Sequence, residues 1–139
     1  MNHRFTMKLF HDFPLLYADK NQPMDKSLLC FGICCDDGWV EIIYALSKKL
    51  ETMIKLPGNG DCRAIQVKEK FGTLRFYMTS STPQMEKEIN KAAALSAKTC
   101  EICGKPGKIA SETPQTGWFK TLCDKHRKTL GFYWFKGRV

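Results

Sequence analysis

Three cysteines and one histidine near the C-terminus have the types and the spacing of a complete metal-ligand set: Cys100-x2-Cys103 and Cys123-x2-His126. A two-residue spacer lets both side chains of a pair reach one ion, and thiolate and imidazole are the ligands of tetrahedral structural zinc sites. The sequence therefore predicts one structural Zn2+ per chain, bound by these four residues. The alternative is that free, buried cysteines happen to fall at this spacing.

A site with four protein ligands has no open position for water or substrate, so the predicted zinc would not be catalytic. Other zinc chemistries also lack their residues. No histidine lies between Cys103 and Cys123 to serve as the base of a ββα-metal nuclease, and neither His3 nor His11 begins the His-x-Glu motif of a zinc deaminase. No P-loop is present. We therefore expect no enzyme activity, no catalytic residue and no small-molecule substrate.

Two further groups of side chains allow either a chemical or a structural interpretation. Cys34 or Cys35 could be a nucleophile activated by His11, but cysteines within an apolar run are usually inert core residues. Asp36 and Asp37 could form an acidic pair, but carboxylates at the start of a helix are more often caps that complement the helix dipole. We expect the structural interpretation in both cases.

The chain of 139 residues carries a formal net charge of +8, and the excess lies in its C-terminal half. Residues 1–60 have seven Lys or Arg and seven Asp or Glu, whereas residues 100–139 have eight and three. This asymmetry favours an acidic partner such as nucleic acid, although a solvated basic surface would give the same totals. With seven cysteines, no leader peptide and no apolar run that could cross a bilayer, we expect reduced thiols, a cytoplasmic location and no membrane partner.

Hydrophobic periodicity indicates which elements position these residues. Apolar residues at three- and four-residue spacing predict a long helix over residues 37–54. Residues 1–35 are ambiguous, because Pro14 would break a helix and the apolar run 28–35 is either a buried strand or irregular chain. We expect the first six residues to be loosely held.

Alternating apolar and polar residues then predict a β-hairpin over residues 65–78, with its turn at Gly72. Ser81-Thr82-Pro83 starts a second helix, which reaches about residue 98 and leads directly to the first zinc ligand. One face of the hairpin is apolar, and the other carries basic and aromatic side chains: Lys68, Lys70, Arg75 and Tyr77.

The zinc-binding segment has its own predicted elements. Gly104 permits the positive φ of a knuckle turn, and residues 108–111 and 118–122 are typical of two short strands. A helix that begins at Cys123 then carries His126 on the same face. A knuckle, a hairpin and a helix that supplies the last two ligands resembles a treble-clef zinc finger.

These elements predict an α+β fold with two parts. Residues 1–99 form a small domain with a β-hairpin packed on two helices, and residues 100–139 continue it as a treble-clef-like Cys3His zinc module with a basic aromatic tail. The order of elements is also similar to that of a group of small, uncharacterised phage and prophage proteins.

That resemblance rests on Cys35-Asp-Asp-Gly-Trp39, on Gln66-Val-Lys-Glu-Lys-Phe-Gly-Thr-Leu-Arg-Phe-Tyr77, and on Cys100-x2-Cys103-Gly104 with Gly117-Trp118, Leu122-Cys123 and His126. It covers roughly residues 28–126. It implies a phage-derived protein in the cytoplasm of a bacterial host. It implies no functional residue beyond the metal ligands.

Two functions of different classes agree with these features. The first is an accessory protein that binds nucleic acid, with Lys and Arg on phosphates and aromatic rings on bases. Besides the four hairpin residues, its expected contacts surround the last zinc ligands: Lys120, Lys125, Arg127 and Lys128. Lys136 and Arg138 add positive charge at the end of the chain.

The second function is a protein-binding factor that occupies or inhibits a host protein, for example a defence or nucleic-acid-processing complex. Its expected contacts are four consecutive aromatic residues: Phe132, Tyr133, Trp134 and Phe135. Tyr and Trp are favoured anchors of protein interfaces. The same four rings could instead pack back on the zinc module, because so small a module has little core of its own.

Overall fold

A computed structural model describes residues 1–136, and this part of the chain contains four α-helices and two three-stranded sheets. The helices are α1 (His3–Asp12), α2 (Val40–Ile54), α3 (Pro83–Ser96) and α4 (Asp124–Leu130). The strands are β1 (Ile33–Cys34), β2 (Ala64–Lys70), β3 (Thr73–Met78), β4 (Lys108–Ser111), β5 (Phe119–Leu122) and β6 (Tyr133–Trp134). The predicted α+β class is confirmed. Arg138, the last predicted basic residue, lies outside the described residues.

The first sheet has the strand order β1-β2-β3 and contains the predicted hairpin. A two-residue turn joins β2 to β3, and Phe71 and Gly72 within it both have positive φ, 54° and 82°. Positive φ at both central residues is the type I′ geometry, whose twist matches that of the flanking strands. The register of the two strands places Lys68 directly opposite Arg75 on the outer face of the sheet.

One detail of this hairpin differs from the predicted alternation. The register shifts between Ala64 and Gln66, so Ile65 is an extra residue and is only half-buried. Ala64 and Val67 take the buried positions of β2 instead. The carbonyl of Ile65 turns aside and accepts a hydrogen bond of 2.7 Å from the N–H of Leu28, which brings the preceding segment to the sheet.

The N-terminal segment is more ordered than predicted. Residues 3–12 form α1, whose first turn is capped by the Asn2 side chain at 2.8 Å from the N–H of Arg4. The expectation that the first six residues are loose was wrong. The helix is short, and only a few of its residues, such as Leu9 and Phe10, reach the core. Its periodic signal is therefore too weak to stand out in the sequence.

The long helix was predicted correctly over most of its length. Asp36 is the N-cap residue of the turn that precedes it, but the expected cap hydrogen bond is absent. A 3-10 turn over Asp37–Trp39 precedes α2, and neither aspartate makes a side-chain cap hydrogen bond. Asp37 instead accepts from the N–H of Asn2 at 2.6 Å, and Asp36 lies 3.0 Å from the ammonium of Lys120. Both carboxylates therefore join distant segments, which local sequence cannot reveal.

The core lies between the inner face of the first sheet and the helices α2 and α3. Trp39, Ile43 and Leu50 are fully or almost fully buried beside Val67 and Leu74 of the sheet. The predicted second helix is confirmed, because the Thr82 hydroxyl caps α3 by accepting from the N–H of Met85 at 3.2 Å. Apolar burial of this extent is the main stabilising contribution to a domain of this size.

The second sheet has the order β5-β4-β6 and belongs to the C-terminal segment. β4 and β5 form the predicted hairpin, and α4 follows and ends at Gly131, which adopts the left-handed conformation with φ 72°. The chain then returns as β6 beside β4, so that Trp134 lies opposite Ala110. The knuckle, hairpin and helix thus occur in the predicted treble-clef-like order.

Among the described residues, hydrogen bonds near the knuckle and at the tip of the first hairpin hold the C-terminal segment against the rest of the chain. At the knuckle, the indole N–H of Trp39 donates to the carbonyl of Thr99 at 2.9 Å. At the tip of the first hairpin, the hydroxyl of Thr121 donates to the carbonyl of Gly72 at 2.7 Å. The second contact matters for the surface described below, because it fixes the turn between β2 and β3.

Candidate metal centre and basic sheet face

The four predicted metal ligands come together in space. Their ligand atoms all lie within 4.8 Å of one another. The Nδ1 atom of His126 is 3.6 Å from the sulfur of Cys100 and 3.2 Å from that of Cys123, and the sulfurs of Cys103 and Cys123 are 3.8 Å apart. This group could hold one metal ion, as the spacing of the sequence predicts.

Two of these three distances match a tetrahedral zinc site, and the third, between Cys123 and His126, is about 0.4 Å shorter. Zn–S bonds of about 2.3 Å and Zn–N bonds of about 2.0–2.1 Å at tetrahedral angles place two sulfurs about 3.8 Å apart and a sulfur and a nitrogen about 3.6 Å apart. The ligand atoms of Cys100, Cys103, Cys123 and His126 therefore lie close enough to hold one ion after small shifts of the side chains. His126 would bind through Nδ1, because that atom faces the sulfurs.

Local backbone geometry explains this arrangement. The N–H of Gly104 donates to the carbonyl of Cys100 at 2.9 Å and closes the knuckle, and Gly104 has the positive φ of 79° that such a turn needs. Cys123 is the N-cap residue of α4 and His126 lies in its first turn. Residues three apart on a helix share one face, so both side chains reach the knuckle.

The backbone also favours the metal-binding form of one ligand. The N–H of His126, at the start of α4, lowers the pKa of Cys123 to about 6. Desolvation raises the pKa of the neighbouring Cys103 thiol. Because the thiolate is the form that binds metal, Cys123 is ready to bind at neutral pH.

A small apolar cluster supports the centre. Cys100, Ala110 and Leu122 are fully buried, and Phe132 and Trp134 pack against them. Two of the four tail aromatics thus contribute to the module itself. Tyr133 and Phe135 remain 52% and 39% exposed, and the ring of Phe135 meets Phe119 edge-on at a centroid distance of 5.1 Å. Whether any tail residue contacts a partner stays a prediction.

A buried carboxylate, which the sequence interpretation missed, lies beside the knuckle. Glu101 is only 2% exposed, and its two oxygens meet the N–H of Asp36 at 3.0 Å and the ammonium of Lys120 at 3.2 Å. Burial raises the pKa of Glu101, although the ammonium of Lys120 lowers it. The only sequence signal for a special role of Glu101 is its position between two zinc ligands. No local pattern connects it to Asp36 or Lys120, which are distant in the sequence.

Two of the eight predicted nucleic-acid contacts are engaged within the protein. The Lys120 side chain is 18% exposed and pairs with Asp36 and Glu101. Arg127 is 19% exposed, donates to Asp124 and to the carbonyl of Phe132, and lies 4.8 Å from the ring centroid of Trp134. These contacts show structural roles for both cations.

The two remaining cations of the zinc module lie on α4. Lys125 and Lys128 are exposed, and Lys128 is 2.9 Å from the carboxylate of Asp124. An exposed pair of this kind is weak and leaves the ammonium accessible.

The hairpin residues come together on the outer face of the first sheet, which we call the basic sheet face and define as Lys68, Lys70, Arg75 and Tyr77. Lys68 and Arg75 are half-buried directly opposite each other, and Lys70 and Tyr77 are exposed. Within residues 1–136, no acidic side chain lies within ion-pairing distance of Lys68, Lys70 or Arg75. The face is therefore cationic without internal neutralisation.

Comparisons of the chain with protein-family models, with curated proteins and with solved structures found no match. Among the helices of residues 1–136, none combines the length and the apolar character that crossing a bilayer requires.

Proposed function

We propose that this chain is a non-enzymatic zinc-binding protein that binds nucleic acid through its basic sheet face. The observation that best supports this proposal is that Lys68 and Arg75 lie directly opposite each other on neighbouring strands. Like charges opposite each other destabilise a sheet. A phosphate on this face would relieve that repulsion.

The metal in this proposal is one structural Zn2+. Cys100, Cys103, Cys123 and His126 would hold it, and with four protein ligands it would supply folding stability to the C-terminal segment. That segment in turn holds the hairpin turn through Thr121. The zinc module would therefore keep the basic sheet face in one conformation, without touching the ligand itself.

A salt titration of binding tests the proposal. Replacing Lys68, Lys70 and Arg75 together by Gln should weaken binding strongly. If all three contact phosphates, the slope of log K against log salt should decrease in magnitude by about 2.1 for a single strand or about 2.7 for duplex DNA. A melting curve checks that the triple variant is folded.

The matched control neutralises three exposed lysines on other surfaces, Lys48, Lys55 and Lys87, and has the same net charge as the triple variant. It should keep most of the binding and nearly the same slope. Equal losses in both triple variants would show that only net charge matters, and would contradict a defined binding face. Absence of binding in the unaltered chain at low salt would reject the proposal.

A second function is favoured by the exposed rings of the module. Trp118, Tyr133 and Phe135 are 60%, 52% and 39% exposed, and exposed aromatic residues are common interface anchors. A pull-down from nuclease-treated host lysate with the unaltered chain and with a Tyr133→Ala and Phe135→Ala variant tests it. A partner retained by the former and lost by the latter would support a protein-binding factor. The phage origin and the bacterial host cytoplasm stay predictions.

A further inference from the structure

Phe71, at the tip of the first hairpin, is an unusual residue for its position. It adopts the left-handed conformation with φ 54°, and its side chain is 61% exposed. Left-handed backbone is strained for a bulky residue, and type I′ turns favour Asn, Asp or Gly there. The position thus combines backbone strain with an exposed apolar ring, and both are unfavourable for the isolated protein.

The turn does not need an aromatic ring for its own stability. The Glu69 carboxylate accepts from the N–H of Gly72 at 2.8 Å, and Thr121 donates to the carbonyl of Gly72 at 2.7 Å. Both bonds involve the neighbouring glycine and do not depend on the side chain at position 71. The Phe71 ring instead lies 5.6 Å from the ammonium of Lys70, which places an aromatic surface beside a cation of the basic sheet face.

A second exposed ring stands at the other end of the same face. Tyr77 is 41% exposed, opposite Gln66, and lies two residues beyond Arg75 on β3. At about 3.3 Å per residue, the strand places Tyr77 about 13 Å from Thr73, where the turn begins. The two rings therefore lie on either side of Lys68, Lys70 and Arg75 along the hairpin.

We infer that the ligand is single-stranded nucleic acid, with bases stacked on Phe71 and Tyr77 and phosphates at Lys68, Lys70 and Arg75. This inference rests on the proposed function and narrows it to one class of ligand. A duplex hides the faces of its bases, whereas a single strand offers them to aromatic side chains. The face has both parts that such binding needs, a cationic surface for the backbone and rings for successive bases.

Binding assays with a thymidine oligonucleotide, its RNA counterpart and a blunt DNA duplex of the same length test the inference. The unaltered chain should bind either single strand more tightly than the duplex. Phe71→Asn should weaken single-strand binding by roughly five- to 150-fold, because one stacked base is lost. Its melting temperature should stay the same or rise, since Asn-Gly suits a type I′ turn.

Conservative variants separate stacking from apolar contact. Phe71→Tyr and Tyr77→Phe keep a ring and should bind nearly as tightly as the unaltered chain. Phe71→Leu keeps an apolar side chain without a ring and should bind almost as weakly as Phe71→Asn. Tyr133→Ala, which removes an equally exposed ring outside the face, should leave binding unchanged.

The outcomes keep the two proposals apart. If the triple Gln variant loses binding but Phe71→Asn and Phe71→Leu bind as the unaltered chain does, or if the duplex is preferred, the single-strand inference is wrong and the nucleic-acid proposal stands. If none of the three probes binds at low salt, both are wrong. If Tyr133→Ala weakens binding as much as Phe71→Asn, the rings of the basic sheet face are not the stacking sites.

Discussion

The backbone N–H of Gly38 donates a hydrogen bond of 2.7 Å to the carbonyl oxygen of Glu101, where the turn before α2 touches the knuckle. The two backbones are so close that a Cβ atom at position 38 would lie 2.2 Å from the carbonyl oxygen of Cys100 and 2.5 Å from that of Glu101. Only glycine fits this contact. The knuckle is therefore joined to the N-terminal part of the chain through main-chain atoms.

Gly38→Ala should strongly destabilise the protein. The methyl group would meet main-chain atoms of Cys100 and Glu101, so the knuckle must move away and the hydrogen bond with Glu101 is lost. We expect a loss of at least about 3 kcal/mol in the free energy of unfolding, measured by denaturant titration. Gly60→Ala is the matched control, because nothing lies within 4 Å of its Cβ position. Similar stability of the two variants would contradict this account of the contact.

Removal of one thiolate should remove the metal. In Cys103→Ser, the zinc content should fall well below one per chain. The serine hydroxyl is a poor zinc ligand, and the three ligands that remain form an incomplete tetrahedral set. Atomic emission measures the metal, and hydrogen exchange should show lost protection in β4, β5 and α4. Cys34→Ser is the control, since Cys34 is exposed and outside the ligand group, and its zinc content should not change. Full zinc content in the Cys103 variant would refute the ligand assignment.

The ion pair of Lys120 with Glu101 leads to a prediction about pH. In Lys120→Ala, the carboxylate of Glu101 would stay buried without a cation, and we expect a loss of about 3 kcal/mol near neutral pH. Lys128→Ala, which breaks an exposed pair with Asp124, should change stability by less than about 1 kcal/mol.

The sign of the pH effect follows from the raised pKa of Glu101 in the folded state. A carboxyl group with a raised pKa binds its proton more tightly when folded, so its contribution to stability falls as pH rises through that pKa. Without Lys120 the pKa of Glu101 should rise further. The stability difference between the variant and the unaltered chain should therefore be larger at pH 7 than at pH 5. A difference that is equal at both pH values, or larger at the lower one, would contradict the pairing.

Elements with local patterns could be predicted from the sequence, and contacts between distant residues could not. The hairpin over β2 and β3 follows from two-residue alternation and a glycine turn, and the zinc ligands follow from two spaced pairs. In contrast, the buried carboxylate of Glu101 accepts a hydrogen bond from the N–H of Asp36, which lies 65 residues earlier in the sequence. Only the tertiary fold brings these two groups together. The same limit explains why the sequence predicted a helix cap at Asp36 but not its contact with Lys120.

The aromatic residues 132–135 also show that burial which depends on a distant strand cannot be predicted from local sequence. Four aromatic residues in succession cannot reveal which of them the fold buries, because that depends on the partner strand. Pairing of β6 with β4 turns Trp134 towards the buried cluster of the zinc module and leaves Tyr133 outside. The strand itself is only two residues long and has no pattern of its own to detect.

This difference between neighbours gives the last prediction. Trp134 packs on the buried cluster of the zinc module, with the guanidinium of Arg127 4.8 Å and the ammonium of Lys108 5.6 Å from its ring centroid. Trp134→Ala should lower the free energy of unfolding by about 2–3 kcal/mol, through lost apolar burial and lost cation–π contacts.

Tyr133→Ala is the matched control and should change stability by less than about 0.5 kcal/mol, because its ring is mostly in solvent. Deletion of residues 132–139 should destabilise the protein at least as much as Trp134→Ala, since it also removes β6. Melting curves of the three variants test this order. A truncated chain that melts with the unaltered one would show that the tail does not stabilise the module, and would leave an interface as the remaining role for all four aromatic residues.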